Sequence, residues 1–196
     1  IYPNQKVYDD VRFVQVIVEV LKRYYTVDQD RFYVTGFSNG GQFSGRLAVQ
    51  MSDVFAAFAL CSTSRAFNEE QAMMTNVYTN APFKSRPVFQ IIGELDPKLT
   101  HAAKVESFPM DESAAAPNTF TKGYIIRPWL GLLGLPDQYK YTRTTRASNF
   151  QYGEVGASPE YRFSIVEGMQ HLYPNGENFG FKIVDVFWPF MLQHHR

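Results

Sequence analysis

The chain has 196 residues, with 19 Lys+Arg against 19 Asp+Glu, 45% apolar and 16% aromatic residues, and one cysteine. That length suits a single domain over residues 1–196, which buries roughly 70% of the surface its unfolded chain exposes. Zero formal charge offers no basic footprint for nucleic acid or anionic lipid, and the lone Cys61 excludes a disulfide scaffold or a cysteine-rich metal module. The apolar runs fall far short of the roughly 20 residues of a bilayer span, so no membrane insertion is expected.

In chain order, Asp9 to Tyr25 places Val14, Ile17, Val18, Leu21 and Tyr25 at helical spacing, with Asp9 and Asp10 at the end where the helix dipole favours negative charge. Further apolar residues at Val11, Phe13, Val16 and Val20 widen the stripe, as in a helix covered on more than one side. Arg31 to Thr35 reads as a short strand ending at Gly36, and Gly40 to Met51 as a second helix. Phe55 to Leu60, Pro87 to Ile92 and Tyr161 to Val166 have the length and unbroken apolar character of inner parallel strands. Asn118 is placed to cap a helix from Thr119 that Pro128 kinks or ends, and Phe179 to Leu192 supplies a last helix. The irregular stretches between Leu99 and Asn118 and between Asp137 and Glu160 read as surface excursions. This alternation predicts an α/β layered fold with a mostly parallel sheet.

Gly36-Phe37-Ser38-Asn39-Gly40 is a Gly-x-Ser-x-Gly sequence between a predicted strand and a predicted helix, the context in which such a serine is a nucleophile. A serine at the apex of that turn takes a strained backbone, and Gly36 and Gly40 are both expected to be required by crowding around it. The helix that follows aims its free N–H groups, that of Asn39 first, at an oxyanion forming nearby. A serine hydroxyl needs a histidine to take its proton and a carboxylate to orient that histidine. Asp96 and His171 each follow the carboxyl end of a predicted strand, in the chain order Ser, acid, His. Glu94 shares the loop of Asp96 and competes for the role of acid. His101 comes too soon after the acid to end a strand of its own, and His194 and His195 stand at the chain end, where disorder is usual.

With these residues in place, the chain resembles the α/β-hydrolase superfamily, and within it esterases similar to polyhydroxybutyrate depolymerases and feruloyl esterases. The resemblance rests on Asp9-Asp10-Val11, Tyr25-Thr26-Val27-Asp28 and the run Arg31 to Gly41, with shorter matches at Gly93-Glu94-Leu95-Asp96 and His171-Leu172-Tyr173-Pro174. It departs from that pattern at Gly168-Met169-Gln170, where the family often has several glycines, and at Tyr173, where it often has tryptophan. The resemblance implies a serine esterase that forms an acyl-serine on Ser38, with Asp96 and His171 completing a triad, Asn39 N–H in the oxyanion hole, and no metal or organic cofactor. Tyr173 either walls the acyl pocket or simply packs. The substrate is then a small or polymeric ester, and a secreted or periplasmic location is favoured.

In that fold the strand before the nucleophile is the fifth, so the first four strands and the His-Gly oxyanion loop after the third have no counterpart here. The chain begins at Ile1 rather than Met, and an upstream half, in the parent polypeptide or as a second chain, is expected to supply them. Tyr124 to Tyr141, within a possible lid or insertion at about 109–158, reads first as a helix packed on the sheet and second as a lid or aromatic substrate platform. Two other functions stay open: a serine peptidase of the prolyl oligopeptidase type, and a non-catalytic hydrolase-like interaction domain.

Overall fold

The structure is a computed structural model that describes residues 9–64 and 81–196; Ile1 lies outside them. The chain runs α1 (Asp10–Tyr24), β1 (Tyr33–Phe37), α2 (Asn39–Gln50), β2 (Ala57–Cys61), β3 (Val88–Gly93), α3 (Pro97–Ala103), a 3₁₀ turn (Glu112–Ala115), a π-helical stretch (Thr121–Ile126), α4 (Arg127–Leu133), β4 (Tyr139–Arg143), β5 (Ala147–Tyr152), β6 (Tyr161–Val166) and α5 (Val184–Met191). Among the described residues the strands form one six-stranded sheet in the order β1-β2-β3-β6-β5-β4. The first four in that order pair in parallel, and β5 and β4 add an antiparallel hairpin beyond β6. This is a mixed, mostly parallel α/β fold.

Both faces of the inner strands are covered, which explains their loss of polar alternation. Phe58 and Leu60 of β2 join Val88 and Ile92 of β3 in a core closed by Leu47, Ala48 and Val49 of α2 and by Trp129 and Leu130 of α4. Ala57, Ala59 and Cys61 face the other way with Phe89 and Ile91, against Phe187, Phe190 and Met191 of α5. Gln90 is a buried amide with partners on both of its atoms. Its Nε2 donates to Thr63 O at 2.7 Å, and its Oε1 accepts from Trp129 Nε1 at 2.9 Å and Tyr161 OH at 3.1 Å. The amide thereby ties the loop after β2 to α4 and β6 without leaving a polar atom stranded. Trp129, Leu130 and Leu133 are buried, as the packed-helix reading of that segment expects.

Several boundaries differ from the sequence reading, each for a local reason. β1 starts at Tyr33 and passes through Gly36 to Phe37, because the ladder with β2 continues to Phe37↔Cys61 and then to Ser38 N–H, which donates to Cys61 O at 2.9 Å. β2 and β3 likewise begin and end later than expected, whereas β6 has its expected span. α1 is capped by Asp9, whose Oδ1 accepts from Arg12 N–H at 2.9 Å. It buries Val11 and Val18 with Val14 half-buried, and leaves Phe13, Val16, Ile17, Val20 and Tyr25 exposed rather than covered. Thr119, not Asn118, caps the next helical segment, its Oγ1 accepting from Lys122 N–H at 3.1 Å. The chain is π-helical over Thr121–Ile126, and Pro128 then sits in the first turn of α4.

The stretches expected to be irregular contain α3, the 3₁₀ turn and the β4–β5 hairpin, and they bury Leu99, Phe108 and Phe150. The last helix starts at Val184 because Asn175 first forms a turn, its Oδ1 accepting from Glu177 and Asn178 N–H, and then bridges to Lys182. His194 is buried rather than trailing from the chain end. Its Nε2 lies 3.0 Å from Oε1 of the fully buried Glu160, which also takes Arg162 at 2.9 Å and, through Oε2, Gly156 N–H at 3.0 Å. No helix among the described residues is long and apolar enough to cross a membrane.

Candidate active site

β1 leads directly into Ser38, which has φ 53° and ψ −118° and serves as the N-cap of α2. A positive φ on a serine is strained backbone, held here by the β1–β2 ladder on one side and the helix on the other. Gly36 is required as expected: a Cβ there would lie 2.1 Å from Gly40 O and 2.5 Å from Ser44 Oγ. Gly40 is not: a Cβ there meets nothing within 4 Å. The crowding is one-sided, because the Gly36 Cβ direction meets the Gly40 carbonyl while that of Gly40 opens outward. Gly41 is the tighter partner, a Cβ there meeting Thr63 Cγ2 at 3.0 Å. Asn39 opens α2, so its N–H belongs to the first turn, whose amides have no intrahelical acceptor.

The structure brings the three sequence-predicted residues together. His171 Nε2 lies 2.9 Å from Ser38 Oγ, and His171 Nδ1 lies 3.0 and 2.9 Å from the two carboxylate oxygens of Asp96. Asp96 is fully buried. The pairing of β3 with β6, in register from Val88↔Tyr161 to Gly93↔Val166, sets the acid and histidine loops side by side at the carboxyl ends of parallel strands. Asp96 also makes a structural contact that the sequence reading missed. It is the N-cap of α3, its Oδ1 accepting from Lys98 N–H at 3.1 Å and Leu99 N–H at 3.4 Å. An Asp followed by Pro97 is the signal of such a cap. Glu94 turns the other way and accepts from Gly168 N–H at 2.8 Å, and His101 is exposed on α3.

Phe37, next to the serine, packs its ring against the imidazole of His171 at 4.9 Å between centroids, and Tyr173 meets Phe37 edge-on at 6.2 Å. Tyr173 also lines a groove of about 310 Å³ along β1, with Tyr33, Phe187, Trp188 and Met191. Behind the site Cys61 is fully buried, and burial pushes its thiol up to about 12. It therefore stays a neutral packing group at neutral pH. Among the described residues no three His, Cys, Asp or Glu side chains are grouped to hold a metal ion.

No protein-family model matches the chain. Over 99 residues, half of its length, it is 31% identical to the bifunctional acetylxylan esterase/xylanase XynS20E of Neocallimastix patriciarum. The match spans 13% of that protein. The chain is thus similar, over that half, to a protein whose name includes a carbohydrate esterase.

Proposed function

We propose that this chain is the nucleophile-bearing part of an α/β-hydrolase esterase that cleaves carboxylic esters, with ester-linked acyl groups on carbohydrate as the first substrates to try. The observation that carries this reading is the continuous contact from Asp96 through His171 to Ser38. In the reaction so read, Ser38 Oγ attacks the ester carbonyl while His171 Nε2 takes its proton, and Asp96 holds Nδ1–H and stabilises the imidazolium. Asn39 N–H faces the oxyanion. The imidazolium then gives its proton to the leaving alcohol, and water activated by the same nitrogen releases the acid. Turnover therefore needs His171 neutral and falls as acid protonates it. The name of the partial relative supports an ester as substrate, and the half-buried ring of Tyr173 beside Phe37 supports a place for it along the substrate path.

The same reading expects strand neighbours on the open side of β1, from an upstream segment or a second chain. β1 pairs only with β2 among the described strands, and α1 leaves Phe13, Ile17 and Val20 exposed. Such partners would also carry the second oxyanion donor. The deciding experiment treats the complete protein with a fluorophosphonate and maps the adduct, then compares acetylated xylan, a short acyl ester and a peptide amide as substrates. One adduct on Ser38, ester turnover and loss of that turnover by several orders of magnitude in Ser38→Ala are expected. Labelling at another serine overturns the assignment, and preference for the amide turns it towards a peptidase.

A further inference from the structure

The loops carrying Asp96 and His171 are joined by contacts that the chemistry above does not use. A Cβ on Gly93 would sit 2.0 Å from Met169 O, so the end of β3 lies directly against the loop after β6. Backbone pairing runs on past the strands, with Glu94 N–H donating to Val166 O at 2.9 Å and Leu95 N–H to Met169 O at 3.0 Å. From the other side, Glu94 O accepts from Phe108 N–H at 3.0 Å. One side chain completes the junction: Glu94 Oε2 accepts from Gly168 N–H at 2.8 Å.

Gly168 is the left-handed turn residue of the histidine loop. Its φ of +66° lies in the left-handed region, and a glycine leaves that region at little steric cost. Met169 beyond it is buried, its N–H donates to Val166 O at 3.3 Å and its carbonyl is held by Leu95, while Glu167 N–H donates to Arg146 O at 2.8 Å; the Glu94 carboxylate adds the hold on the Gly168 N–H itself. His171 follows three residues later. We propose that Glu94 is a positioning residue: by holding the Gly168 amide it sets the loop that presents His171, and with it the reach of Nε2 to Ser38. Because the contact is exposed, its removal hands the amide to water and leaves the fold standing. The effect therefore falls on geometry at the site, where small displacements are costly.

This inference rests on the esterase reading, and the test separates the two. In the complete protein, fluorophosphonate labelling of Ser38 is checked first; without it the reading fails, whatever Glu94 does. Glu94→Ala should then lower kcat roughly 10-fold to 10²-fold with KM and the melting temperature close to wild type. Glu94→Gln, which keeps an oxygen able to accept from Gly168, should recover most of the loss. The downfield NMR resonance of His171 Nδ1–H needs no substrate. It should broaden through faster exchange with water in Glu94→Ala and stay sharp in Glu94→Gln. An unchanged resonance and kcat in Glu94→Ala, equal losses in Ala and Gln, or a loss that tracks a fall in melting temperature would each overturn the proposal.

Discussion

Asp96 has no exposed surface, and its carboxylate is divided between the imidazole of His171 and the first amides of α3, so a substitution there touches both. Asn is as good an N-cap as Asp but presents an amide to Nδ1 and selects the wrong imidazole tautomer. Asp96→Asn should therefore cut ester turnover by about 10⁴ while leaving the melting temperature nearly unchanged. Asp96→Ala should lose the turnover and also about 1 kcal/mol of stability with the cap. Turnover and thermal melts on the two variants separate the duties. At this scale the sequence was informative about proximity: a serine on a strand-to-helix turn and an Asp and a His after later strands were expected to meet, and Ser38, Asp96 and His171 lie within hydrogen-bond reach. The cap escaped because one residue was read for one purpose, although Pro97 marked it.

Around the turn itself, backbone approach decides which residues are replaceable. Gly36→Ala drives a methyl into the Gly40 carbonyl, and neither strand nor helix can shift without breaking the ladder to β2, so a loss at or above the ~1–3 kcal/mol of overpacked cores is expected. Gly40→Ala meets open space within a helix and should instead raise stability by up to about 1 kcal/mol through helix propensity. Opposite shifts in urea unfolding midpoints are the check. The inner strands were legible because burial on both faces leaves unbroken apolar runs, and α1 because its apolar residues recur at helical spacing. The β4–β5 hairpin was not. Tyr139-Lys140-Tyr141-Thr142-Arg143 mixes polar and aromatic residues as an outer strand does, and its turn has no Gly, Asn or Pro. That turn is closed by Thr144, whose N–H donates to Ala147 O at 2.9 Å and whose Oγ1 accepts from Ala147 N–H at 3.0 Å.

Across the whole molecule, the carboxyl end is fastened to the sheet by the buried Glu160. Burial acts to raise its carboxyl, but the His194 hydrogen bond, the Arg162 charge and the Gly156 amide outweigh it and hold the group below its ordinary 4.5. As pH falls, the unfolded chain therefore takes up this proton first. The stability Glu160 contributes is complete above pH 4.5 and is lost as pH drops through the lower folded value. Glu160→Gln should be less stable at neutral pH and should flatten the acid limb of the melting profile. The β1 edge of the sheet predicts a second behaviour. With β1 at the edge and the outer face of α1 apolar, these 196 residues alone should be poorly soluble or inactive, and adding strand neighbours should restore an active esterase. A soluble, monomeric, fully active protein of this sequence alone would refute that arrangement.

The parallel pairing of β3 with β6 also governs when the site can exist during folding. Asp96 and His171 are 75 residues apart in sequence, and Ser38 and His171 are 133 apart. Each loop must close, at an entropic cost that no local contact offsets, before His171 reaches its partners. Contacts of such long range form slowly, whereas α1 and the β4–β5 hairpin depend on neighbours in the chain. On refolding, local secondary structure should thus form ahead of the contact that joins Ser38, His171 and Asp96.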